Sequence, residues 1–198
     1  MRRPVAARPR TYLRKPVAAD AEEFVARVHA SEHLAPWAHP PLEIGAFRQW
    51  LTRGDRAENE QYLVCDRADD AIAGFVNLNG IQRGSVQRAS AGWAAFHPHV
   101  GQGHLAAGLS MVLEVSFTQL RLHRIEADIQ PANARSRALA RRCGLRLEGF
   151  SPRLVLIEGE WRDHERWAID AETWRSTVRA RRGGRTAGFG GAAGGQRG

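Results

Sequence analysis

The stretch from Gly92 to Phe150 constrains the fold more than any other part of the chain. It reads as a strand, a glycine loop (Val100-Gly101-Gln102-Gly103-His104), an apolar helix, a second strand, and then Pro131-Ala132-Asn133-Ala134-Arg135-Ser136 opening another helix. A strand that turns through two glycines into a helix gathers the unpaired backbone N–H groups of the helix start around an open loop, which suits a phosphate. Some thirty residues later the small polar pair Asn133 and Ser136 opens the next helix. A phosphate gripped by backbone beside a neutral polar pair points to group transfer from a nucleotide carrier.

The rest of the chain supplies a frame for that unit. Thr11–Lys15 reads as a short strand, and Asp20 caps a helix with Glu22 and Glu23 in its electropositive first turn. A loop rich in Pro and His, Glu32 to Pro41, leads to a second helix with Phe47, Trp50 and Leu51 at helical spacing. Gln61–Asp66, Ala71–Ile81 and Arg88–Phe96 follow with short polar turns, the pattern of an antiparallel meander. Leu105, Leu109, Val112, Leu113, Phe117 and Leu120 mark one face of a long helix. Arg124–Ile129 is a strand, the helix after Asn133 stops at Cys143-Gly144, and a hairpin closes around Glu158-Gly159. This order predicts an α+β domain.

Charge sorts the chain into a body and two tails. Residues 1–10 hold four Arg and residues 175–198 hold six, with no acid in either, whereas residues 11–174 carry a net charge of −2. The expected organisation is a basic tail over 1–10, one domain over 11–174 and a disordered Gly/Arg-rich tail over 175–198. A near-neutral body argues against a nucleic-acid-binding face on the domain itself and leaves weak RNA contact to the Arg tails. The two cysteines, Cys65 and Cys143, lack metal-site spacing and read as reduced structural thiols, so no metal is expected. No apolar run approaches ~18 residues, and Met1–Arg10 lacks the hydrophobic core of a leader, which predicts a cytoplasmic chain without membrane contact.

Gly101-x-Gly103-x-x-Ala106, with Glu126 downstream, also fits a loose dinucleotide fingerprint. Its context does not: about a hundred residues precede it, and only one further strand–helix step follows. A Gly-Lys-Ser/Thr sequence is absent, which removes a P-loop.

The segments around the loop resemble the GNAT N-acetyltransferase superfamily. Its acetyl-CoA signature, Gln/Arg-x-x-Gly-x-Gly/Ala, corresponds here to Val100, Gly101, Gln102, Gly103, His104 and Leu105. Gly103 matches the central glycine, and Val100 and Leu105 depart at the two ends, implying looser or slightly shifted pyrophosphate binding. Leu122–Ala127, Pro131-x-Asn133-x-x-Ser136, Cys143-Gly144-Leu145, Glu148-Gly149-Phe150 and Leu156–His164 are similar to the ribosomal-protein (Rim-type) branch. So is the early loop Glu32-His33-Leu34-x-Pro36-Trp37. The resemblance spans residues 11–172.

The resemblance implies a mixed, mostly antiparallel twisted sheet flanked by about four helices and splayed between its fourth and fifth strands. It implies an acetyl-CoA-dependent enzyme, a monomer or homodimer, acting on a protein or peptide N-terminal amine. The alternatives are a small-molecule amine acetyltransferase and a non-catalytic acyl-CoA-binding or RNA-associated module. Backbone N–H groups near Ala94–Phe96, with Ala95 and Phe96 foremost, would polarise the thioester carbonyl. Asn133 would hold the pantetheine or acceptor backbone, Ser136 would donate to the departing thiolate, and Arg142 would reach the phosphates. N-capping accounts equally for Asn133 and Ser136, and helix-dipole compensation for Arg142. Glu126 or Asp128, on one face of their strand, would serve as base, with His97 and His99 as lesser candidates. Trp37 and His39 would line the acceptor site.

Overall fold

Alternation along β3 (Glu60–Asp66) creates the two faces on which the fold is built. Leu63 and Cys65 turn one way and Tyr62 and Val64 the other, and all four are buried. On the first face α1 (Ala21–His29) and α2 (Ile44–Gly54) bring Phe24, Phe47 and Trp50 against Phe75 and Phe96. The ring centroids of this cluster lie 5.0 to 6.0 Å apart, in tilted and edge-on contact. On the second face α3 (His104–Thr118) and α4 (Ala134–Cys143) cover the larger core, which includes Val76, Leu78, Leu109, Leu113, Ile125 and Trp167. Gly108 lets α3 press onto the sheet, because a Cβ there would stand 2.5 Å from Val64 Cγ2.

The structure is a computed structural model that describes residues 4–186. The remaining strands are β1 (Ala6–Ala7), β2 (Thr11–Arg14), β4 (Ile72–Gln82), β5 (Arg88–Ala95), β6 (Arg124–Ile129), β7 (Arg146–Ile157) and β8 (Glu160–Asp170). They form one sheet in the order β1-β2-β3-β4-β5-β6-β8-β7, antiparallel except where β5 meets β6. That parallel pair runs only from Arg88↔Arg124 to Ser90↔Glu126, after which the strands separate. The expected α+β fold and its split sheet are present. With β1 counted, the split falls between the fifth and sixth strands, which are the fourth and fifth of the sequence reading.

Both ends of the domain extend further than composition implied. Residues assigned to a basic N-terminal tail include β1, and the turn into β2 closes with hydrogen bonds between Arg8 and Thr11. Arg8 also pairs with Glu114 on α3 at 2.6 Å. At the other end α5 (Ala171–Thr186) carries the chain through residues 175–186, which the Gly/Arg composition had placed in a disordered tail. Trp174 anchors it on Phe117, with centroids 5.4 Å apart. Residues 187–198 of that predicted tail lie outside the described residues, as do residues 1–3. Among the described residues no helix is long and apolar enough to cross a membrane.

One buried ion pair joins the start of the sheet to the first helical segment. Arg14 holds Asp20 bidentately at 2.7 and 2.9 Å, both side chains are 1% exposed, and Asp20 also accepts the Val17 N–H at 2.7 Å. Removing one charge strands the other in a site without water. Asp20→Asn is expected to lower stability by about 3 kcal/mol or more, read from the urea-unfolding midpoint.

Candidate active site

The separation of β5 from β6 leaves the inner edge of β5 open from Ala91 to Ala95. Phe96 donates its N–H to Ala73 on the β4 side at 2.8 Å. Antiparallel alternation then turns Ala94 toward β4 and leaves the N–H groups of Trp93 and Ala95 facing the gap. Of the backbone donors expected near the thioester, Ala95 directs its N–H into the gap. Phe96 does not: its N–H is spent on Ala73, and its ring is wholly buried in the aromatic cluster.

The gap is part of a cleft of ≈ 1470 Å³ that reaches both helical layers. On the α3 side it is lined by Val100, Gly101, Gly103 and Leu105, and on the α4 side by Asn133, Ser136 and Arg142. Gly101 and Gly103 have φ of +80° and +89°, and no atom lies within 4 Å of where a Cβ would stand on either. Gly103 is the N-cap of α3, so the first amides of that helix open onto this space. Loop and helix start together form a cradle of backbone amides that suits a pyrophosphate. Leu105 lies at its edge and packs partly against the core. The side chains of Gln102 and His104 turn elsewhere. Gln102 Nε2 donates to the Pro98 carbonyl at 3.0 Å and its backbone N–H to the His99 carbonyl at 3.3 Å, and the His104 side chain is buried beside Thr11 and Asp66, so of these two residues the His104 backbone amide is the donor left for a cofactor.

Across the gap, Asn133 Oδ1 accepts the Ser136 N–H at 3.0 Å and so caps α4. The Ser136 hydroxyl oxygen accepts the Trp93 indole N–H at 3.3 Å. That bond ties β5 to α4 over the split and leaves the serine O–H available to another acceptor. Trp93 was not anticipated as a partner, because its strand position alone does not reveal that the sheet opens beside it.

Glu126 does not reach the cleft wall. It is bound by Arg124 at 2.7 Å and Arg88 at 3.1 Å, inside a cluster of guanidinium groups where β5 and β6 are still paired. Asp128, two residues on, does line the cleft, with Arg166 Nε at 2.6 Å. His164 lines it as well, 5% exposed, with Nδ1 3.0 Å from the Arg162 carbonyl. A carbonyl only accepts, so in the neutral ring Nδ1 carries the proton and Nε2 keeps a lone pair.

Trp37 and His39 both line the cleft on the α1/α2 face. Their loop spans the opening: His33 Nε2 donates to the Ala95 carbonyl at 3.2 Å, and the Pro36 carbonyl accepts from Gln130 at 3.1 Å. Burial holds the His33 imidazole below its ordinary pKa, in keeping with a neutral donor. The floor beneath is polar but neutral, with Gln61, Asn77 and Asn79 in the lining. Asn77 and Asn79, alternating in an otherwise apolar strand, were a legible sign of a polar site that the sequence reading passed over.

The acetyltransferase (GNAT) domain model matches residues 10–146. The chain belongs to the GNAT acetyltransferase family. It is thus an acetyl-CoA-dependent acetyltransferase. The probable N-acetyltransferase YjcK of Bacillus subtilis is 32% identical over 121 residues, 61% of this chain and 67% of that protein. The [Ribosomal protein uS5]-alanine N-acetyltransferase of Escherichia coli is 30% identical over 109 residues, and the match spans 55% of this chain and 56% of that enzyme. The structure of Mycobacterium smegmatis RimJ in complex with CoA-disulfide aligns with a TM-score of 0.76 at 27% identity, covering 87% of this chain and 90% of that one. The likeness therefore extends to the Rim-type branch.

In this GNAT domain the glycine cradle is testable on its own. Gly103→Ala forces a Cβ into a left-handed conformation, at about 1–2 kcal/mol, and into the open space of the loop. The expected result is a KM for acetyl-CoA raised about tenfold and a slightly lower unfolding midpoint, measured by thiol release and urea titration.

Proposed function

We propose that the acceptor is the α-amine of a protein or peptide N-terminus. The observation that carries this reading is Asn77, a residue lining the acceptor side of the cleft, whose Oδ1 is buried and has no hydrogen-bond partner among the described residues. A buried acceptor without a donor is costly, and a peptide N–H or an ammonium group would satisfy it. The charge of the lining separates these two ligands. Its carboxylates are Glu43 and Asp128, the latter paired with Arg166, against Arg53, Arg135 and Arg142. A polyamine would need a surplus of acids here, whereas a peptide backbone suits neutral amides. Likeness to the E. coli uS5-alanine enzyme supports the same choice.

In this reading the neutral amine attacks the thioester carbon, forming the C–N bond and then breaking the C–S bond. The Ala95 N–H faces the developing oxyanion. His164 Nε2 takes the amine proton, directly or through water, and the Ser136 O–H donates a hydrogen bond that stabilises the departing thiolate until solvent protonates it. An α-amine with a pKa of ~7.7–8.0 is substantially neutral at physiological pH, so one imidazole suffices as base. Asp128 is committed to Arg166 and positions the wall of the cleft.

Thiol release measured with acetyl-CoA against N-terminal peptides and against spermidine tests the acceptor. Peptides are expected to give the higher kcat/KM, and preference for spermidine would overturn the reading. Ser136→Ala and His164→Gln are each expected to lower kcat about 10²-fold with little change in the KM for acetyl-CoA. An unchanged kcat for Ser136→Ala would return that residue to the role of helix-cap neighbour.

A further inference from the structure

Beneath the glycine loop three potential ligands converge from three elements, one of them, His99, also lining the cleft. Asp66 ends β3, His99 lies in the loop just before Val100, and His104 opens α3. One ligand atom from each lies within 4.8 Å of the other two. Both imidazoles are more than nine-tenths buried; His104 Nε2 faces the Asp66 carboxylate in ion-pair range, and His99 Nδ1 has no hydrogen-bond partner among the described residues. A buried ring nitrogen left without a partner beside a second imidazole and a carboxylate is costly, and a cation shared by the three would satisfy it.

We propose that Asp66, His99 and His104 form a binding site for a zinc-type divalent transition-metal ion, which clamps the glycine loop and the start of α3 to the end of β3. The donor set of two imidazoles and one carboxylate is one that zinc accepts. Asp66 Oδ2 and His104 Nε2 are 3.3 Å apart. That separation is the edge of a tetrahedron with metal–ligand bonds of about 2.0–2.1 Å, so this pair already has coordination geometry. Rotation of the His99 ring, which stands perpendicular to His104 at a centroid distance of 5.5 Å, brings in the third ligand. The fourth position is left for water.

The surrounding contacts orient the ligands as a metal site requires. His104 Nδ1 lies 2.9 Å from Thr11 Oγ1, and a proton donated to that hydroxyl leaves the Nε2 lone pair directed at the cluster. Asp66 Oδ1 accepts the Ala68 N–H at 3.0 Å, which leaves Oδ2 for the ion. This site departs from the metal-free expectation drawn from the cysteines, because Asp66 is distant in sequence from the two histidines and none of the three is a cysteine.

The test is calorimetric titration of zinc into the full-length chelator-stripped protein, with magnesium as control. One equivalent of zinc is expected to bind at micromolar or tighter Kd, to raise the Tm, and to be unmatched by magnesium. Asp66→Asn and His99→Gln, checked for folding by circular dichroism, are each expected to weaken zinc binding at least tenfold. Zinc-edge X-ray absorption of the loaded wild-type protein reads the ligands without any variant and is expected to show two imidazoles. Failure to bind zinc, undiminished binding by the folded variants, or fewer than two imidazoles would each overturn the proposal. None of these readouts depends on acetyl transfer, so the proposal stands or falls apart from the assigned acceptor.

Discussion

The short parallel contact between β5 and β6 is the constraint on which the site depends. Three residue pairs, Arg88↔Arg124 to Ser90↔Glu126, hold the sheet together, and the next residues of both strands diverge. Strand edges in a protein interior must satisfy their N–H and C=O groups, so an open internal edge needs compensation. Trp93 reaches across to Ser136, His33 donates to the Ala95 carbonyl, and the guanidinium cluster around Glu126 ties the strands where they still touch. The backbone N–H groups of Trp93 and Ala95 are what remain directed at the gap.

Much of this was legible in the residues because it is local. The glycines at 101 and 103, the apolar stripe of α3 and the Asn133 cap each follow from the conformation of a few neighbouring residues, and each is where the spacing put it. What periodicity could not provide is which way a strand residue faces after two strands part. Glu126 and Asp128 share a face and look equivalent in sequence, yet the first lies where β5 still pairs and the second where it does not. Phe96 failed for a related reason, since the last residue of a strand is decided by its partner across the ladder. Composition misjudged both ends, because a short edge hairpin needs only Arg8 on Glu114, and an Arg-rich helix needs only Trp174 on Phe117.

The His99–His104 cluster was invisible for another reason. Asp66 is more than thirty residues from either histidine, and only the return of α3 against β3, made close by Gly108 on Val64, brings them together. The feature that lowers the helix onto the sheet also places its first turn beside the end of β3. Packing in the core and geometry at the loop are consequences of the same contact.

The slot between β5 and β6 is open to both layers of the protein. On the function proposed above, the donor lies along the α3/α4 face and the acceptor beneath the Trp37 loop, so the two reactants would approach the slot from opposite layers of one cleft. Neither has to leave for the other to enter, so a ternary complex can assemble in either order without an acyl group ever resting on the protein. On that reading the split in the sheet sets the place where the reactants meet and leaves the order of their arrival free.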